Sequence, residues 1–328
     1  MKFGAPAWRA RRTSATVIGI VALAAIAFAP CPARAEATEA DSTTDVTCAS
    51  ATQAVPTTWY FPSTPPLGLV WLQHGFVEGK KVWSAFGPEL AGSGYLVVAT
   101  TLSTLNIFGC TVEHLIDNRG FLDNIAEVFA HKDDPRGALA TSFATAAEKA
   151  GRPVAPLPDN MVFVGHSAGS EAVEYVAERL HSSYPAAFTQ LRGVVSEDGV
   201  KSFLGSNTDD ALAGLAGTTL PIYATASPHL LCNFFQRGTK AIERYFPDRT
   251  FHGVKITTGA HGDALGPSSP GYENLVCGRP KADNVAAVWG LTRGWIADMI
   301  AGTTTPDFYP GGSYYTDLLT AGTITTLP

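Results

Sequence analysis

The stretch NMVFVGHSAGSEAVEYVAERL, Asn160 to Leu180, decides how this chain is read. Four apolar residues, Met161 to Val164, run into Gly165-His166-Ser167-Ala168-Gly169 and then straight into a helical pattern. A short apolar run with β-branched and aromatic members, ended by glycine, is the mark of a buried strand. After it, Ala172, Val173, Val176, Ala177 and Leu180 recur at the spacing of one helix face. Between strand and helix the backbone has to reverse sharply, and the two glycines leave room for that. Ser167 stands on the corner, with its hydroxyl held outward. Gly-x-Ser-x-Gly by itself is a weak signal; between a buried strand and a helix it is specific.

The rest of the chain repeats the alternation. TWYFP (58–62) is a short strand before a Pro-rich turn, and LGLVWLQ (67–73) and YLVVATTL (95–102) are buried strands. So are LRGVVS (191–196), LPIYATA (220–226) and FHGVKITT (251–258). Helical spacing with a Gly-rich stop marks 82–94, and helices are expected over about 118–131 and 137–150. Asp283 to Ala301 is helical, with Val285, Val288, Trp289, Trp295, Ile296 and Met299 as apolar members. No internal repeat and no long linker divides the chain. Short apolar strands joined by helices require crossover connections. The expected architecture is therefore three-layer α/β, a mainly parallel sheet with helices on both faces. Ligands of such sheets bind beyond the carboxyl ends of the strands.

Composition narrows the function classes. The chain has 328 residues, 45% hydrophobic and 16% charged, enough for one large core. A net charge of −6 without a basic tract argues against nucleic acid as a partner. Lys2, Arg9, Arg11 and Arg12 precede the apolar run Val17 to Phe28, and Ala33-Arg34-Ala35 is a small-x-small cleavage pattern. Residues 1–35 are read as a secretory signal peptide rather than a membrane anchor, because the apolar run is short and no stop cluster follows. Their removal takes away five cations and no acid, leaving 18 Lys and Arg against 29 Asp and Glu, a formal −11. Four cysteines remain, Cys48, Cys110, Cys232 and Cys277, which suggests two disulfides in an oxidising compartment. Of the three pairings, Cys48–Cys110 with Cys232–Cys277 is favoured. No cysteine–histidine spacing suggests zinc. Residues 36–54, rich in Thr, Ala and Asp, are expected to be a loose leader, 55–301 the main folded domain, and 302–328 an extension packed on it.

Strand, Gly-x-Ser-x-Gly and helix together resemble the nucleophile elbow of the α/β-hydrolase family, and the resemblance covers roughly residues 55–301. It implies Ser167 as nucleophile, followed in chain order by an acid and a histidine. His261, in TTGAHGDALG just past strand 251–258, matches the family's general base. His229 follows the strand where the family more often has its acid, and His252 begins a strand, at the wrong end of the sheet. The loop SPHLLCNFFQRGTK has no carboxylate before Glu243. One strand earlier, VVSEDGV carries Glu197-Asp198, where some lipases of this fold place the acid. Asp198 is assigned, with Glu197 as runner-up, since alternation lets only one face the site. Asp263 is a third candidate, better suited to capping a turn. WLQHGF resembles the family's early loop, so Phe76 and Ala168 would supply the two oxyanion-hole amides, with His74 bracing the loop.

The resemblance implies acyl transfer to water with no cofactor and no metal. Phe76, Val77, Trp83, Leu230, Phe234 and Phe235 are expected near the pocket and would suit an ester with an apolar acyl or polymer chain. Residues 200–219 are either a cap over the site or a crossover helix. The expectation is a secreted or cell-envelope serine esterase or lipase, monomeric, without stable membrane insertion. The alternatives are a serine peptidase of the same fold and a non-catalytic hydrolase-like binding protein.

Overall fold

The computed structural model describes residues 1–4, 37–228 and 231–328. The signal-peptide reading lies, from Ala5 on, outside the described residues. Ala35–Pro328 form one unit built on a single sheet. Its strands are β1 (Thr38–Cys48), β2 (Ala51–Phe61), β3 (Leu69–Gln73), β4 (Leu96–Thr100), β5 (Met161–His166), β6 (Leu191–Glu197), β7 (Ile222–Ala226), β8 (Gly253–Ile256) and β9 (Ile324–Thr326). They lie in the order β1-β2-β4-β3-β5-β6-β7-β8-β9. From β4 to β8 all neighbours are parallel; β1, β2 and β9 add antiparallel edges.

The helices are α1 (Phe86–Gly92), α2 (Arg119–Ala130), α3 (Ala138–Lys149), α4 (Ala168–Ser183), α5 (Pro185–Phe188), α6 (Asn207–Leu215), α7 (Arg237–Tyr245), α8 (Gly271–Val276), α9 (Ala282–Ala301) and α10 (Ser313–Thr320). Strand residues alternate between two buried faces. Leu69, Trp71, Met161 and Phe163 point to a core shared with α2, α3, α4, α6 and α7. Val70, Leu72, Val162 and Val164 point to one shared with α1, α9 and α10. With both faces covered, a central strand is apolar throughout, which is why these runs were legible as strands. The helix face of α4 expected to turn inward, Ala172, Val173, Val176, Ala177 and Leu180, is wholly buried. Residues 200–219 are a crossover: α6 buries Ala211, Leu212 and Leu215 in the core beside α4, and only the loop before it reaches the carboxyl edge.

The expected loose leader is instead half of a β-hairpin. All eleven residues of β1 pair with β2, closed by Ala49 and Ser50 with φ of 48° and 67°. The turn is of the two-residue left-handed kind, made without the Asn-Gly or Asp-Gly that would announce it. Nor is the inward face apolar at its start: Ser42 and Thr44 both meet the Ser142 hydroxyl of α3, at 2.8 and 3.0 Å. Trp59 Nε1 donates to the same hydroxyl at 3.0 Å. Polar side chains that satisfy one another can face a core, but they leave no hydrophobic period in the sequence.

The other end also joins the sheet. β9 pairs with β8, Tyr315 is fully buried, and its hydroxyl lies 2.7 Å from Thr326 Oγ1. The folded unit therefore extends past both ends of 55–301. Both favoured disulfides are present, with Cα–Cα distances of 5.9 Å for Cys48–Cys110 and 5.8 Å for Cys232–Cys277. Among the described residues no helix is long and apolar enough to cross a membrane.

Candidate active site

β3 and β5 are neighbours, but the chain reaches β4 on one side and β6 on the other. The connections thus leave in opposite directions and open a crevice at the strands' carboxyl ends. Ser167 sits there, between β5 and α4, with φ 54° and ψ −125°. A non-glycine residue in this region is strained and has to be held. Its carbonyl accepts from the amides of Ser170 and Val200, both at 3.0 Å, and its own amide donates to the Glu197 carbonyl at 3.0 Å. A Cβ on Gly169 would lie 2.4 Å from the Gln73 carbonyl oxygen, so only glycine lets α4 start this close to β3. A Cβ on Gly75 would lie 2.7 Å from the Ser167 Cβ, so the loop after β3 rests directly on the serine. The amides of Phe76 and Ala168 have no hydrogen-bond partner among the described residues.

Asp198 follows β6 with φ 46°. Its Oδ2 accepts from His261 Nδ1 at 2.6 Å. Ser227 adds a backbone bond of 2.8 Å and a hydroxyl bond of 2.6 Å, and Asn233 Nδ2 donates at 3.1 Å. Burial would raise the carboxyl's pKa, but these hydrogen bonds and the neighbouring imidazole hold it below its ordinary value. Glu197 takes the other side of the strand. It accepts from Thr225 and from Thr292 of α9, and burial pushes it up to about 7 despite those bonds. Of the two candidate acids, it is Asp198 that meets His261.

Neither a protein-family model nor a curated protein sequence matches the chain. Solved structures do match its shape. A ferulic acid esterase from Streptomyces cinnamoneus aligns over 88% of this chain and 96% of its own, at 14% identity and a TM-score of 0.54. A fungal esterase from Rhizomucor miehei aligns over 81% of this chain and 85% of its own, at 11% identity and a TM-score of 0.55. The chain has the α/β-hydrolase fold.

In this α/β-hydrolase fold Ser167, Ala168, Phe76 and His261 all line one cavity of about 440 Å³. Phe76, Val77, Phe203, Leu231, Tyr272 and Val276 make much of its wall and are themselves exposed at its rim. Two expected pocket residues differ, and a third is not described. Trp83 is buried in the core, 6.5 Å edge-on from the His166 ring. Phe235 is exposed but does not line the cavity. Leu230, with His229, lies outside the described residues. His252 immediately precedes β8, at the strand's amino end and away from the site, its ring held by the Phe246 and Pro328 carbonyls. Asp263 accepts from the amides of Ala260 and Lys281, at 2.8 and 3.2 Å, and closes a turn. His74 Nδ1–H donates to the Gly75 carbonyl at 2.7 Å; burial keeps its pKa low and the ring neutral.

The sequence did not mark Glu78, Glu113, Tyr272 or Glu273, which also line the cavity. Glu78 and Glu113 come from loops and Tyr272 and Glu273 from the short helix α8, and none has a periodic pattern or motif around it. Burial raises Glu113 to about 7 and Glu273 to about 8. His166, His261 and Glu273 have ligand-type atoms within 4.8 Å of one another. This is a poor metal site, because His166 Nδ1 already faces Glu78 at 3.2 Å and Nε2 the His261 carbonyl at 3.0 Å. A larger hollow of about 670 Å³ lies between Leu191, Pro221 and Met299, at the strands' amino ends. It holds no serine–histidine–acid grouping.

Proposed function

We propose that this protein is a secreted serine hydrolase of carboxylic esters. One observation carries the reading: the Asp198–His261 hydrogen bond and Ser167 converge on one apolar cavity at the carboxyl edge of the sheet. Asp198 holds Nδ1–H, which leaves the His261 Nε2 lone pair free to take the Ser167 proton. Ser167 Oγ attacks the ester carbonyl, and its proton passes to Nε2. The negative oxygen is met by the Phe76 and Ala168 amides. His261 then protonates the departing alcohol, leaving an acyl group on Ser167. Water attacks that acyl group, His261 takes the water's proton, and the acid leaves as Ser167 recovers its own.

The apolar wall and rim favour an ester whose acyl part is apolar or polymeric. That two matched structures are named as esterases supports hydrolysis. The disulfides and the signal-peptide pattern support an extracellular or cell-envelope location. A fluorophosphonate probe tests the chemistry: label on Ser167, lost in Ser167→Ala, is expected. p-Nitrophenyl esters of rising chain length, set against aminoacyl anilides, test the substrate. Faster turnover of the anilides would overturn the ester assignment.

A further inference from the structure

A chain of buried polar contacts joins the two loops that this chemistry needs. The Gly75 amide donates to Glu78 Oε2 at 2.6 Å. The same oxygen lies 3.2 Å from His166 Nδ1, and His166 Nε2 meets the His261 backbone carbonyl at 3.0 Å. The path therefore runs from the loop bearing the Phe76 amide to the loop bearing the His261 imidazole. Both ring nitrogens of His166 face acceptors, so the contacts are complete only when both carry protons. The His166 side chain is fully buried and that of Glu78 is 3% exposed, so water cannot substitute for either partner.

We propose that Glu78 and His166 are positioning residues: their ion pair holds the Phe76 amide and the His261 imidazole at one fixed spacing, so that both act on the same carbonyl. The inference rests on the ester-hydrolase reading of Ser167. A buried ion pair contributes little net stability once desolvation is counted. What it supplies is direction, because each partner is tied at its other end to a working loop. Electrostatics agree with the contacts. Burial disfavours charge on both groups, yet each overcomes it through the other: His166 rises to about 10 and Glu78 falls to about 2.

Glu273 of α8 sets the upper pH limit of this arrangement. One of its carboxyl oxygens lies within 4.8 Å of ring nitrogens of His166 and His261, and burial beside the Glu78 carboxylate raises it to about 8, so it is neutral at pH 7. Above that, two carboxylates face one imidazolium. The other ionisable groups around the cluster are His74, Tyr272, Asp198 and His261. His74 is neutral, Tyr272 is raised to about 12, and Asp198 is engaged by His261, so Glu273 is the group that changes charge near pH 8.

Two measurements on the full chain decide this. In ¹⁵N-histidine NMR of the wild type, His166 should keep both ring protons from pH 6 to 8; titration of that ring below pH 7 overturns the proposal. In steady-state hydrolysis of p-nitrophenyl butyrate, Glu78→Gln should lower kcat roughly 100-fold with KM within about threefold. Glu273→Gln should move the basic limb of the kcat profile upward, because a neutral amide replaces the group that ionises. An active wild type whose Glu78→Gln variant folds and keeps kcat overturns this inference alone. A Glu273→Gln profile with the basic limb unmoved removes Glu273 from it, and the NMR arm stands if Glu78→Gln does not fold. A wild type that neither turns over the ester nor takes the probe overturns the reading of Ser167, and this inference with it.

Discussion

His261 Nδ1 donates to Asp198 Oδ2 across 2.6 Å, although 63 positions separate the two residues. Both side chains are 6% exposed, so water competes little for the bond. The bond decides which ring nitrogen carries the proton, and hence which is left to accept one. Ser227 and Asn233, from the loop after β7, hold the carboxylate from the other side. That loop carries no acid of its own; it supplies the donors that orient one from the neighbouring strand.

Asp198→Asn should therefore cost roughly 10³–10⁴-fold in kcat, because an amide can hold the imidazole in the wrong tautomer. Its far-ultraviolet circular dichroism should match the wild type. Glu197→Gln, on the opposite side of β6, should leave kcat within about threefold. A reversed result would transfer the role to Glu197.

Gly75→Ala places a methyl 2.7 Å from the Ser167 Cβ and 3.0 Å from Glu78 Oε2. Neither neighbour is free to move, since Ser167 is on its strained corner and Glu78 is buried. The loop has to shift instead, and kcat should fall about 100-fold. Kinetics on p-nitrophenyl butyrate, beside a melting curve that moves little, would show this.

Stability should decline from pH 5 to pH 9. Glu113, Glu197 and Glu273 are raised by burial from 4.5 to about 7, 7 and 8. Each keeps in the folded state a proton that the unfolded chain releases. The stability this lends is full below about 4.5 and is lost as pH rises through the folded value. His166, raised from 6.5 to about 10, acts in the same sense between those limits. Glu78, lowered to about 2, opposes them only below about 4.5. Scanning calorimetry should show Tm falling with pH, by roughly 2–4 °C for each kcal/mol lost. Glu197→Gln should flatten the fall between pH 5 and 7; an unchanged slope would mean that Glu197 is not the source.

Cys232–Cys277 spans 45 positions and joins the loop after β7 to the end of α8, both at the cavity. Chain entropy sets its contribution at about 4 kcal/mol. Cys48–Cys110, 62 positions apart, joins the hairpin to the loop after β4 and should contribute about the same. Removing either pair should lower Tm comparably, but only loss of Cys232–Cys277 should also raise KM, read well below the melting range.

The core strands and helices were legible because burial on both faces leaves an unbroken apolar signal. β5, β6, α2, α3, α4 and α9 fall within a few residues of where the apolar pattern puts them. β1, the start of β2 and β9 were not legible, although TWYFP marked the end of β2. β1 turns hydroxyls inward and closes on Ala-Ser, and β9 is three residues long. In the candidate site, residues carried by a motif were legible and those carried by position alone were not. Glu78, in a loop, and Glu273, in α8, are ordinary acids until folding brings them together across 194 intervening positions.

Local order in the chain was enough to determine the strand–corner–helix around Ser167, because steric limits at a sharp reversal act over a handful of residues. It also confined the choice of partners to the ends of strands. Which carboxylate met His261, what lined the cavity, and that Glu78 and His166 bridge two loops were decided only by tertiary structure. The reason is that a strand's two faces are equivalent in sequence: Glu197 and Asp198 differ by one position, and only the packing of α9 on one side and His261 on the other tells them apart.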